Sequence, residues 1–174
     1  RVIPELVAML PKHKYTNGLD LGCGTGAFGR AFGSSVASLT GVDLSEKMLK
    51  KATAAKCYDA LVQENVLDYL RNLSDRFDLV LAVEMLEYLP SVDELFHLVA
   101  GHLKKQGIFA FSIELPPAKE TILSPNGRYL HARQEIQEKL LKNGLSILKE
   151  KKIQLRKEGR GMAEGLVIIA IPKM

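Results

Sequence analysis

The chain has 174 residues, 47% hydrophobic and 25% charged, with a formal net charge of +4. That length fits one domain, and a domain of this size buries roughly two-thirds of its unfolded surface. No apolar run approaches the ~20 residues of a membrane span and no secretory leader is legible, so a membrane partner is excluded and a cytoplasmic protein is expected. The two cysteines, Cys23 and Cys57, lack metal-ligand spacing, which excludes a zinc cluster and fits a reducing compartment.

An apolar helical pattern covers Ile3 to about Leu10, with Pro4 in a first turn that tolerates proline. The first strand falls near residues 18–22 and runs into Leu19-Asp20-Leu21-Gly22-Cys23-Gly24-Thr25-Gly26. Alternating glycines remove Cβ atoms, permit positive φ and let a ligand lie against the backbone. A helix over 27–35 follows at once. Strand, glycine loop and helix in that order make a nucleotide-type cofactor site in an α/β sheet. The second strand, Ala37 to Val42, ends at Asp43, and Ser45 caps a helix to about Lys56. A third strand, near Asp59 to Gln63, precedes a short helix containing Leu67, Tyr69 and Leu70. Phe77 to Val83 is a near-continuous apolar run, the mark of a strand buried on both faces. Ser91 or Asp93 opens the next helix, to about Leu103, and Gly107 ends the connection into a strand over Ile108–Ile113. Residues 115–130, with Pro116, Pro117, Pro125, Asn126 and Gly127, read as a loop. A helix from about Ala132 to Lys142 stops at Asn143-Gly144. Leu145 to Arg156 and Gly165 to Ile171 then form two consecutive strands, hence an antiparallel hairpin.

Gly24 to Gly29 also satisfies the G-x-G-x-x-G dinucleotide pattern, with Asp43 near the expected acid. Two details weigh against that reading. The glycine series begins earlier, at Gly22, and Asp20 stands two residues before it, where a carboxylate repels a pyrophosphate at a helix N-terminus. Asp20 suits a ligand with a cationic amino group. The terminal hairpin is a further discriminator, because dinucleotide folds continue with βα units.

LDLGCGTGAFG followed by LTGVDLSEKML resembles motif I and the following acidic strand end of the class I S-adenosylmethionine-dependent methyltransferases. The likeness continues through residues 77–89 and 103–111, in order, and covers nearly the whole chain. It implies an α/β, Rossmann-like fold: a seven-stranded, mostly parallel sheet with a C-terminal antiparallel hairpin and helices on both faces. Residues 1–174 then form a single methyltransferase domain with S-adenosyl-L-methionine as cofactor. Within the family, Gly127-Arg128-Tyr129-Leu130-His131 is similar to a stretch in small bacterial methyltransferases associated with tetratricopeptide repeats. The start at Arg1 rather than Met reads as a piece of a longer or processed protein, with an N-terminal segment upstream that could recruit a protein partner.

By the resemblance, Gly22, Cys23, Gly24 and Gly26 face the adenosyl and methionine parts, with Asp20 beneath them. Asp43 holds the ribose hydroxyls, and Leu44 and Met48 border the adenine. Glu64, Asn65 and Val66 are placed to recognise adenine, with Asp68 a competitor one turn on, or else a solvated helix residue. Val83 offers a carbonyl toward the methionine amino group. A general base is needed only where the acceptor arrives protonated. Candidates are Glu84, Glu87, Tyr88, Glu114, Tyr129 and His131. Against these stand plainer readings: Glu84 and Glu87 as helix N-terminal acids, Tyr88 as core packing and His131 as part of a helix cap. Tyr129 and His131 are also candidates for binding the acceptor. His97 and His102 read as surface helix residues, and no metal is expected.

The motif that amide- and exocyclic-amine-methylating members carry after the fourth strand is missing, since Val83-Glu84-Met85-Leu86 stands there. Lys149, Lys151, Lys152, Arg156, Lys157 and Arg160 form a basic stretch, but alternation with Ile153 and Leu155 explains it as a half-exposed strand, so no nucleic acid is expected. The reading is a methyltransferase acting on a small molecule, a cofactor intermediate or a protein. Two alternatives stand beside it: a non-catalytic module of the same fold, and a dinucleotide-dependent oxidoreductase.

Overall fold

The computed structural model describes residues 2–158 and 161–173. Arg1 and Arg160 lie outside the described residues, as does the side chain of Arg156. In chain order the elements are α1 (Val2–Met9), β1 (Tyr15–Leu21), α2 (Ala27–Phe32), β2 (Val36–Asp43), α3 (Glu46–Ala55), β3 (Ala60–Gln63) and α4 (Val66–Asn72). They continue with β4 (Phe77–Ala82), α5 (Asp93–His102), β5 (Leu103–Glu114), β6 (Ile122–Leu123), β7 (Tyr129–Leu130), α6 (Arg133–Lys142), β8 (Leu145–Glu158) and β9 (Gly161–Pro172).

Among the described residues, seven strands form one sheet in the order β3-β2-β1-β4-β5-β9-β8. The first five run parallel, and β9 pairs antiparallel with both β5 and β8. The expected fold is borne out. The chain walks outward from β1 to β3, then crosses back to β4 beside β1, and this reversal opens a crevice at the strands' carboxyl ends.

Strand period decides which side chains meet which helices. Leu79, Leu81, Ile108, Ala110, Val167 and Ile169 pack with Val2, Leu6 and Phe28 of α1 and α2. Their neighbours Val80, Ala82, Phe109, Phe111, Ile168 and Ala170 pack with Leu70, Phe96, Ile136 and Leu140 of α4, α5 and α6. Both faces are therefore covered, which is why β4 reads as a continuous apolar run. Phe96 anchors the second layer, with ring centroids 5.9 Å from Phe109 and 5.6 Å from Phe111.

The structure differs from the sequence expectations at several places, among them the starts of β1 at Tyr15 and β9 at Gly161. Strand β5 begins at Leu103 rather than Ile108: Phe77 pairs with Leu103 and Leu79 with Ile108, so a bulge absorbs the residues between. The stretch read as a loop contains the β6–β7 hairpin, closed by a turn in which Ser124 N–H donates to Arg128 O at 2.8 Å. Two-residue strands are too short to show a period. Helix α5 is capped at Val92, without a side-chain hydrogen bond, rather than at Ser91 or Asp93. Helix α6 is capped at Ala132, whose N–H donates to Thr121 Oγ1 at 3.0 Å, a partner no local pattern announces.

Candidate functional site

At the end of β1 the chain turns under β2: the N–H groups of Gly22 and Cys23 both donate to Val42 O, at 2.8 and 3.0 Å. Gly22 has φ +68, and a Cβ there would stand 2.7 Å from Met85 Cγ, so only glycine fits. Asp43, the last residue of β2, ties this loop to the next helix. Its Oδ2 accepts from Gly24 N–H at 2.9 Å and its Oδ1 from Ser45 N–H at 2.8 Å. Ser45 caps α3 as expected, its Oγ accepting from Met48 N–H at 3.3 Å. The cap leaves Leu44 and Met48 exposed, 67% and 40%, on the wall of the crevice.

That crevice is a cavity of about 490 Å³ over the ends of β1, β2, β3 and β4. Gly22, Gly24, Asp43, Leu44, Met48, Glu64, Asn65 and Val66 line it, together with Ser45, Glu84, Met85, Tyr88 and Leu89. Asn65 also caps α4, its Oδ1 accepting from Leu67 N–H at 2.9 Å. Asp68 is exposed, ion-paired with Arg71 and outside the lining.

A second cavity of about 220 Å³ adjoins the first, sharing Gly22, Gly24 and Glu84. Asp20, Cys23, Thr25 and Val83 line it, and Ile3 of α1 closes one side. Asp20 is 2% exposed. Burial pushes its carboxyl up to about 7, a hydrogen bond from Tyr58 opposes that rise, and the Asp43 charge adds to it. Burial likewise pushes the Cys23 thiol well above its usual range, so it is no nucleophile at neutral pH. Glu84 sits where the two cavities meet, in a left-handed conformation with φ +52, and its N–H donates to Ser112 Oγ at 2.8 Å.

Several candidates lie elsewhere. Gly26 lines neither cavity. Tyr129 and His131 also lie outside both. The His131 ring is buried, its Nε2–H donates to Leu86 O at 2.9 Å, and burial holds it below the usual imidazole range, so it braces the Leu86–Tyr88 turn rather than capping α6. Tyr88 is not core packing: it is 67% exposed on the rim. Glu87 points inward instead, and burial pushes it up to about 7 despite Arg128 at 3.6 Å. Arg128 also reaches Glu114, at 3.5 Å. His102 is engaged by the carbonyls of Asp75 and Leu70. Among the described residues no cluster of His, Cys, Asp and Glu could hold a metal ion. Sequence reasoning missed Ile3, Tyr58, Met85 and Leu89, which carry no motif of their own.

Residues 19–111 match the family model of the methyltransferase domain. This chain belongs to that family. The ubiquinone biosynthesis O-methyltransferase of Idiomarina loihiensis is 36% identical over 102 residues, covering 54% of this chain and 40% of that protein. The malonyl-[acyl-carrier protein] O-methyltransferase of Enterobacter lignolyticus is 33% identical over 116 residues, covering 64% and 44%. The chain therefore spans less than half the length of these curated relatives. The S-adenosylmethionine-dependent methyltransferase from Mesorhizobium loti superposes with a TM-score of 0.74 at 26% identity, over 96% of this chain and 95% of that one. S-adenosylmethionine is the cofactor of this family, and the crevice suits it: a glycine-rich backbone cradle, an apolar wall, and Asp43 and Asp20 in separate cavities. The finer likeness to repeat-associated members rests on residues 127–131 alone.

Proposed function

We propose that this domain transfers a methyl group from S-adenosylmethionine to a small molecule. The observation that carries the reading is the pair of adjoining cavities, one walled by Leu44 and Met48 with Asp43 at its base, the other floored by Asp20. The larger would take the adenosine and the smaller the amino-acid end. In this reading Asp43 holds the ribose hydroxyls, Glu64, Asn65 and Val66 border the adenine, and Asp20 with the Val83 backbone holds the ammonium group. Gly22 and Gly24 line the passage between the two ends and Cys23 the smaller cavity, while Gly26 serves packing. When bound, the cofactor supplies an electrophilic methyl group on a sulfonium. The chain's share is to position the acceptor and exclude water.

Among the candidate bases Glu84 and Tyr88 line the larger cavity, and Glu84 also borders the smaller. Glu84 is placed to take a proton from a hydroxyl acceptor, and Tyr88 at the rim to contact the acceptor's body. The O-methyltransferase names of the two curated relatives favour an oxygen acceptor. An acceptor contact by Tyr129 or His131 has less support, since both stand outside the cavities.

Titration calorimetry tests the cofactor. S-adenosylmethionine and S-adenosylhomocysteine should bind with micromolar affinity, and Asp43→Ala should weaken both by about tenfold or more, the loss of hydrogen bonds to a charged group. Binding of NAD(H) in their place, or of none of these ligands, overturns the reading.

A further inference from the structure

The hydroxyl of Tyr58, in the connection between α3 and β3, donates to Asp20 Oδ2 at 2.6 Å. The same phenolic oxygen accepts from the N–H of Gly29, in the first turn of α2, at 3.3 Å. A helix-end donor without a partner in its own helix thus leads through a phenol to the buried carboxylate. The ring that carries this hydroxyl lies in a slot cleared by three glycines on three elements. A Cβ on Gly26 would stand 3.1 Å from Tyr58 Cε2, one on Gly29 2.7 Å from the same atom, and one on Gly41 2.9 Å from Cε1. Contacts below about 3 Å are repulsive for carbon pairs whose optimum is about 3.5–4.0 Å. Gly26 belongs to the glycine series yet lines neither cavity: its φ of +83 favours glycine, and its missing side chain also eases the fit of Tyr58.

Resting on the reading of the smaller cavity as the amino-acid end, we propose that Tyr58 is a positioning residue of the cofactor site. Its phenol favours the ionised form of the Asp20 carboxylate and orients it, so that affinity for a ligand's ammonium group is set from beneath the glycine loop. The titratable groups around Asp20 are Tyr58, Asp43 from β2, Cys23 in the glycine loop and Cys57 beside Tyr58. Glu84 shares the cavity, and Arg30, whose field reaches Cys57, donates to Thr25 O at 2.6 Å. Burial and, less strongly, the Asp43 charge favour a proton on Asp20, and Tyr58 opposes them.

The test compares Tyr58→Phe, which fills the same slot without the hydroxyl, with the unmodified chain. Calorimetry follows two ligands, S-adenosylhomocysteine and 5′-methylthioadenosine, which keeps the adenosine and thioether but lacks the amino acid. In the unmodified chain S-adenosylhomocysteine should weaken by about tenfold per pH unit below neutrality and level off above it, as for one carboxylate that must lose its proton. In Tyr58→Phe that profile should move up by roughly one pH unit, a loss of about tenfold near neutrality. 5′-Methylthioadenosine should bind both proteins alike, without pH dependence. Asp20→Asn, which keeps the phenol's acceptor, should give a weak and flat S-adenosylhomocysteine profile. Superimposable profiles for Tyr58→Phe and the unmodified chain overturn the proposal, and so does equal weakening of both ligands, which marks the ring as packing only. If 5′-methylthioadenosine binds but the amino acid adds no affinity, the smaller cavity is misassigned while the adenosine site stands. Binding of neither ligand to the unmodified chain overturns the cofactor reading itself.

Discussion

Asp20 is the side chain on which burial and chemistry conflict most directly. A carboxyl pushed from 3.8 to about 7 is protonated in the ligand-free fold over a range where the unfolded chain is ionised. The folded state then holds the extra proton, so stability from this group is fully present below pH 3.8 and is lost as the pH rises through about 7, by on the order of 2 to 4 kcal/mol. Asp20→Asn keeps the acceptor for Tyr58 but removes the titration. The ligand-free variant should therefore match the parent at low pH in thermal unfolding and exceed it at pH 8, where ionised Asp20 destabilises the parent. A variant no more stable than the parent at pH 8 would mean that the carboxylate is better solvated than its 2% exposure implies.

The β6–β7 hairpin, with the residue that follows it, is tied to the rim of the crevice. Arg128 sits between Glu87 of the Leu86–Tyr88 turn and Glu114 at the end of β5, and its guanidinium carbon lies 5.9 Å from the centroid of the Tyr88 ring. His131 adds its ring bond to Leu86 O, and its N–H donates to Glu114 O at 2.9 Å. The hairpin is thereby fixed to the turn that presents Tyr88 at the crevice rim. Removing the cation that two buried carboxylates share costs about 3–5 kcal/mol when one partner of a buried pair is lost. The cost is smaller here because Arg128 is a quarter exposed and Glu87 can take a proton. Arg128→Met should accordingly lower stability in urea by roughly 1–3 kcal/mol. It should also speed proteolytic cleavage within residues 115–131.

At the scale of the whole molecule, the parallel half of the sheet supplies the crevice proposed for the cofactor and the antiparallel half closes the core. The outer strand β8 carries exposed Lys149, Lys151 and Lys152, which discourage a further strand from adding at that edge. Two of these lysines are ion-paired, Lys151 with Glu5 and Lys152 with Glu164, so the basic stretch is partly neutralised in place. No helix among the described residues is long and apolar enough to cross a membrane. A ligand that binds only the folded chain stabilises it by mass action. S-adenosylhomocysteine at about one hundred times its Kd should raise the melting temperature by roughly 5 to 10 °C, about 2.7 kcal/mol spread over a domain of this size. NAD(H) at the same concentration should leave it unmoved, and differential scanning fluorimetry reads both.

The sequence by itself determined the features carried by local pattern. The run from Leu19 to Gly26, Asp43 at a strand end, the Ser45 cap and the apolar run of β4 are each written within a few consecutive residues. Two consecutive terminal strands were enough to foresee the antiparallel half of the sheet. Only the tertiary structure decided which polar groups lose water and what they meet. Asp20 and Tyr58 are 38 residues apart, and His131 and Leu86 are 45 apart. Spacing could place Asp20 below the glycine loop but could not show the phenol beside it, nor that Gly26, Gly29 and Gly41 make its slot. Tyr88 and Glu87 exchanged their expected places for the same reason: one residue of phase in a single-turn helix decides which side chain is buried. Periodicity is a property of neighbours along the chain, whereas desolvation depends on everything packed around a group.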